Sequence, residues 1–186
     1  LNNVGMFDCG AIVIRGLRGS FVANKLSIMR MDSFTGPVID IRGTGMNSGR
    51  TVLREVVVQA RSGTSLFIAN IHFASVAQSS FNGEVRFQTV EKVTVENNII
   101  APYSPTGQSA IYMTGIASEA SSISRNRLFS RIYVEDSSIT IAENIIQESV
   151  IGGIRVIMRN GGDAIHILNN IITKCNPSSD VVSLIF

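Results

Sequence analysis

No window of this 186-residue chain approaches the run of about 18 apolar residues that a membrane-spanning helix needs. Charge is scarce as well. Asp, Glu, Lys and Arg make up 16% of the residues and the formal net charge is +2, with no basic run of the kind that nucleic acid or an anionic membrane requires. Neither is expected as a partner. The opening "LNNVGMFDCG" has no charged start and no apolar block, so no leader peptide is visible; because the first residue is Leu, that absence says nothing of compartment. Cysteine is limited to Cys9 and Cys175, outside any CxxC and far from a suitably spaced His, which argues against a metal site or thiol catalysis. Both read as small buried hydrophobes. Helical periodicity is missing too: apolar residues recur at a spacing of two, and β-branched residues dominate the periodic positions.

What the chain does have is 45% hydrophobic residues, enough for a substantial core, and an internal repeat that predicts one domain over residues 1–186. In "ITIAENII", Ile139 to Ile146, the polar pivot Asn144 has an apolar residue three before it (Ile141) and two after it (Ile146). The same frame fits Val95, Asn98 and Ile100, then Ile123, Asn126 and Leu128, then Ile167, Asn170 and Ile172. Degenerate copies are read at Phe21, Asn24 and Leu26, at Val52, Glu55 and Val57, and at Val76, Ser79 and Phe81. About 10 to 14 residues before each pivot lies a short alternating strand. Its inward pairs are Ile12 and Ile14, Ile39 and Ile41, Leu66 and Ile68, Val85 and Phe87, Ile111 and Met113, Ile132 and Val134, and Ile154 and Val156. The repeat averages about 24 residues, the range of a stacked array.

Strands that recur once per coil, without tight hairpin signals, are expected to stack parallel on their counterparts. The prediction is an all-β solenoid of about seven coils, with Cys9 and Cys175 about 29 Å apart and unable to pair. The pivots should form a ladder of side-chain amides that satisfies backbone groups at a turn. Four residues before the pivots, Ser20, Thr51, Ser75, Thr94, Ser122, Thr140 and His166 are read as an outward column. Asn2 and Val4 look like the tail of a pivot segment, and Val182 and Leu184 like the start of a further coil, with no polar cap at either end. Such ends predict a piece of a longer solenoid, or a homo-oligomer in end-to-end contact.

The segments "VTVENNII", "SSISRNRLF", "ITIAENII" and "IHILNNII" resemble the short repeats of the right-handed parallel β-helix family, the pectate-lyase-like superfamily, and the resemblance covers essentially the whole chain. It implies a single-stranded right-handed parallel β-helix in an extracellular, cell-surface or virion-surface setting. It does not fix an activity, because the architecture carries lyases, glycosidases, tailspikes and non-catalytic binders. The clustered aspartates and Gly-His-Gly of polygalacturonases are absent, as is a pectate-lyase active-site signature.

The outward positions of the first strand carry the functional reading. Coil by coil they are Val13, Asp40, Phe67, Arg86, Tyr112, Tyr133 and Arg155, with Arg15, Arg42, Ala69, Gln88, Thr114, Glu135 and Ile157 two residues on. Tyr112 and Tyr133 on adjacent rungs suggest a platform for a sugar ring, and Arg86 and Arg155 suggest bidentate contacts to the carboxylates of an acidic polysaccharide. Carboxylates after that strand, at Glu91, Glu119, Glu135, Asp136 and Asp163, are expected to overhang the file, the loops carrying Glu91, Glu119 and Asp163 walling it on one side and the turn at Pro102 to Pro105 on the other. A glycosidase needs two carboxyls about 5 to 9.5 Å apart, for which Glu119, Glu135 and Asp136 are the catalytic candidates; a lyase would add Arg86 or Arg155 as a basic group. No resident metal or cofactor is indicated, although Ca²⁺ could sit among the same oxygens. The leading expectation is a polysaccharide-binding surface, with a polysaccharide lyase or glycoside hydrolase, or a structural segment without ligand, as alternatives.

Overall fold

A computed structural model describes residues 1–7, 11–30, 36–60, 63–103, 107–159, 164–176 and 180–185. The described residues contain no helix; they form a parallel β-solenoid of about six turns, against about seven expected from the repeat. Every strand pairing is parallel, and each coil contributes to three ladders.

The first ladder holds the short strands in the register read from the sequence: Ile12, Ile39, Leu66, Val85, Ile111, Ile132 and Ile154 stand over one another, followed by Val182. Their side chains face inward because alternation puts every second residue on one face. From Ile39 to Ile154 the column is at most 1% exposed. Each such side chain contributes about 1.5 to 3 kcal/mol of burial.

The second ladder leads into the pivot and the third follows it. Val76, Val95, Ile123, Ile141 and Ile167 are consecutive inward residues before the pivot, and Phe81, Ile100, Leu128, Ile146 and Ile172 follow it. Between the two ladders the backbone turns on one left-handed residue per coil. Lys25, Glu55, Gln78, Asn97, Arg125, Glu143 and Asn169 all have φ between 52° and 58°. None is glycine, so each coil carries a local backbone cost.

That column of left-handed residues corrects the frame of the upstream copies. The pivot is the residue after the turn, so it is Leu26 in the first coil and Val56 in the second, not Asn24 and Glu55. The frame of the second coil is Leu53, Val56 and Val58, all buried, in place of Val52, Glu55 and Val57, and in the first coil Ala23, Leu26 and Ile28 replace Phe21, Asn24 and Leu26. The hydroxyl column changes accordingly. Ser75, Thr94, Ser122, Thr140 and His166 are in register, but above Ser75 stands Val52, and Thr51 is fully buried.

The pivot ladder is made of hydrogen bonds from one coil to the next. The backbone N–H of Ser79 donates to Asn98 Oδ1, that of Asn98 to Asn126 Oδ1, and that of Asn126 to Asn144 Oδ1, at 2.9 to 3.0 Å. Each Nδ2 is spent on its neighbours, as when Asn126 donates to Asn144 Oδ1 and to the Val95 carbonyl. At the upstream end the Val56 N–H donates to the Ser79 hydroxyl at 3.0 Å, where the ladder stops because Val56 has no side-chain acceptor. Cys9 lies outside the described residues; Cys175 is a free thiol and only half-buried, with its Sγ 3.8 Å from the Thr173 carbonyl, so it is less enclosed than expected.

Candidate functional site

The outward file of the first ladder runs Val13, Asp40, Phe67, Arg86, Tyr112, Tyr133, Arg155 and then Ser183. Strand parity at a spacing of about 4.8 Å sets these side chains in one row on the same face. The Tyr112 and Tyr133 rings stack with centroids 4.8 Å apart and planes at 6°. The Arg86 guanidinium lies 4.5 Å from the centre of Tyr112, and Arg155 lies 6.0 Å from that of Tyr133. From Arg86 to Arg155 the file is therefore a continuous stack whose inner ring faces cover one another. What it turns to solvent is ring edge, hydroxyl and guanidinium, so the platform expected for a flat sugar ring becomes a hydrogen-bonding ridge.

Glu135 fixes the two hydroxyls. It occupies the neighbouring outward position of the Ile132–Glu135 strand, opposite Thr114, and so belongs to the sheet and not to an overhanging loop. Tyr112 and Tyr133 both donate to its Oε2, at 3.3 and 3.4 Å, while Arg159 pairs with its Oε1 at 2.7 Å. Burial raises the pKa of both phenols, and the Glu135 charge raises it further. They stay protonated donors.

The remaining carboxylates are engaged elsewhere or stand apart. Asp136 is a corner residue with φ 44°, in the same left-handed column as Gly16, Asn70, Thr89 and Gly115, and its Oδ1 accepts the Arg159 backbone N–H at 2.7 Å. Glu119 is exposed in a turn, and no hydrogen bond joins it to the file among the described residues. Glu91 pairs with His72 at 2.7 Å. Asp163 and Pro105 lie outside the described residues. Among the described residues no three of His, Cys, Asp and Glu come together as a metal site.

Three participants were missed in the sequence. Glu84, 5% exposed, holds Arg86 at 2.8 Å, and its pKa is raised because burial outweighs the attraction of that arginine. Arg131 stands beside Tyr133 with its guanidinium 5.3 Å from the ring centre, and Arg159 holds Glu135. Alternation would have found the first two, since residues 84 and 131 each lie two positions before a residue of the file. Arg159 carries no such mark. Further up the sheet Asp40 is buried between Arg15 and Arg42, and Arg42 also lies 4.6 Å from the centre of Phe67. Among the described residues, the arginines of this face (Arg15, Arg42, Arg86, Arg131, Arg155 and Arg159) outnumber the carboxylates they surround (Asp40, Glu84 and Glu135).

No protein-family model, curated protein or solved structure matches the chain.

Proposed function

We propose that this solenoid is a surface or extracellular module that binds a polysaccharide along its first-strand sheet. The observation that carries the reading is the file Arg86, Tyr112, Tyr133 and Arg155 on four successive rungs. It offers a straight row of guanidinium donors and phenol-oxygen acceptors at the strand spacing, on a ridge already ordered before any ligand arrives. Preorganised groups of this kind lower the entropic cost of holding an extended chain. The excess of arginine favours an acidic glycan, whose carboxylates match the guanidinium fork.

The geometry favours binding over cleavage. Glu135 is held by Arg159 and two hydroxyls, Asp136 is absorbed in a corner turn, and Glu119 is exposed in a turn with no hydrogen bond to the file, so among the described residues no pair of free carboxyls faces the ridge. Kinship with pectate-lyase-like helices rests on the repeat pattern alone. Val182 and Leu184, 44% and 48% exposed in the last described rung, would be covered by the proposed end-to-end contact with further coils or a second copy.

A glycan array, followed by incubation of each hit with the protein, tests the proposal. Binding without shortened products is expected. Shortened products would establish a lyase or hydrolase, and no binding to any glycan would leave a structural segment.

A further inference from the structure

The outward face of the third ladder leaves large apolar side chains uncovered, and they are unevenly placed along it. The first half of its outward column holds Gly5, Ser27, Val57 and Ser80; the second holds Ile99, Arg127, Ile145 and Ile171. The three isoleucines are 50%, 42% and 55% exposed. Isolated apolar residues on a surface are ordinary, but a file of them on one sheet face marks a contact.

Beside this column runs the ridge of left-handed corner residues, which has its own order. Lys25 and then Glu55 carry its charge in the first half, Arg125 and then Glu143 in the second, and Asn3, Gln78, Asn97 and Asn169 are neutral. A cavity of about 510 Å³ borders both columns, lined by Lys25, Glu55, Gln78 and Asn97 together with Val57, Ser80 and Ile99. Ridge and column therefore belong to one surface.

We infer that this surface docks a second copy of the chain, antiparallel, about a twofold axis lying between the rungs of Ser80 and Ile99. Each rung then meets the rung equally far beyond the axis, as an isologous contact requires. Ile99 falls opposite Ser80, Ile145 opposite Ser27 and Ile171 opposite Gly5, so that a large side chain meets a small one. The same axis sets Lys25 against Glu143, Glu55 against Arg125, Gln78 against Asn97 and Asn3 against Asn169. Two independent columns thus select one axis. Sliding the second copy by one rung would set Glu55 against Glu143 or Lys25 against Arg125, and a parallel copy meeting at this ridge would set each charge against itself. Like charges in contact suppress those alternatives.

Glu55 and Arg125 already have Arg54 and Glu96 at 3.8 and 3.2 Å, whereas Lys25 and Glu143 make no ion pair among the described residues. The pair that only the second copy completes is therefore Lys25 with Glu143. Eight rungs at about 4.8 Å span roughly 34 Å, a long but narrow strip at the small end of specific interfaces, so dissociation in the micromolar range is expected. The ridge of Tyr112 and Tyr133 lies on the first ladder and takes no part, which makes the inference independent of the polysaccharide reading.

Sedimentation velocity over a concentration series tests it. The wild type is expected to pass from monomer to dimer and to stop there. Ile99→Asp should abolish the dimer, with far-UV circular dichroism unchanged. Lys25→Glu and Glu143→Lys should each raise the dissociation constant about tenfold, because the axis repeats every substitution, and the two together in one chain should restore it. Lysine and glutamate both occupy this corner conformation already, so neither reversal adds backbone strain, and the rescue decides the matter if Ile99→Asp fails to fold. A monomer at every concentration, a dimer indifferent to these substitutions, or a double variant no tighter than the single ones overturns the inference. An open series of larger species that Ile99→Asp leaves intact would place association at the ends of the solenoid and overturn it as well.

Discussion

The side-chain oxygen of Asn170 accepts both the backbone N–H and the Nδ2 of Asn144, at 3.0 and 2.9 Å, and Asn144 does the same for Asn126. A single pivot amide therefore satisfies two donors of the coil before it and, through Nδ2, the carbonyls of Ile123 and Ala142. Asn144 is fully buried, so water cannot substitute for it.

Asn144→Ala should cost about 3 kcal/mol, because it orphans buried groups worth about 1 to 3 kcal/mol each and partial relaxation recovers some of them. Asn144→Ser should cost less. Ser79 shows that a hydroxyl at a pivot can still accept the backbone N–H of the preceding coil. Urea denaturation of the two variants checks the order, and equal losses would mean that the ladder's second hydrogen bond adds nothing.

Packing makes a sharper contrast one residue apart. Ile141 is fully buried between Ile123 and Ile167, while Thr140 points outward between Ser122 and His166. Ile141→Ala should cost about 2 to 5 kcal/mol and Thr140→Ala well under 1 kcal/mol. Similar losses at both positions would contradict the register.

Most of this register was legible in the sequence, and the places where it was not share one cause. The first strands and the asparagine pivots announce themselves by alternation and by a polar residue between apolar ones. In the first two coils the pivots are Leu26 and Val56, so the polar marker is gone and the turn is carried by left-handed Lys25 and Glu55. Nothing in a lysine or glutamate signals that backbone conformation. The Tyr112 and Tyr133 file was legible because parity alone places it. Its chemistry was not, since two rings one rung apart stack on each other before they stack on a ligand. Which carboxylates join the file depended on corner turns, and Asp136 at φ 44° is spent on its corner.

Acid should weaken the N-terminal coils through Asp40. Burial opposes its ionisation, but the hydrogen bonds and charges of Arg15 and Arg42 prevail and hold its pKa below the ordinary 3.8. A carboxylate with a depressed folded pKa contributes stability that is complete above the unfolded value and is lost as pH falls through the folded one. Urea midpoints should therefore fall below about pH 4. Asp40→Asn should start less stable at pH 7 and show a flatter acid limb. An acid limb as steep as that of the wild type would assign the loss to other carboxylates.

The opposite limb reports the tyrosines. Both phenols have raised pKa values in the fold, so the unfolded chain releases its protons first as pH climbs, and stability should decline above about pH 10. The double variant Tyr112→Phe with Tyr133→Phe removes both titrations and should decline less. An identical decline would place the alkaline sensitivity elsewhere.

The same phenylalanine substitutions decide how the ridge meets a glycan. Tyr112 lies between Arg86, 4.5 Å from its ring centre, and Tyr133, 4.8 Å away, so both of its faces are occupied. A sugar approaching from solvent meets the hydroxyls and ring edges that Glu135 and the stack hold in line. Removing one hydroxyl while keeping the ring should then cost a net hydrogen bond, about 0.5 to 1.5 kcal/mol, which is roughly a twofold to tenfold loss of affinity. Tyr112→Phe and Tyr133→Phe should each weaken binding nearly as much as the corresponding alanine variants, with the fold intact because outward residues carry little of the core. If the phenylalanine variants bind as well as the wild type and only the alanine variants lose affinity, the sugar rests on the rings themselves. The stack would then have to open on binding.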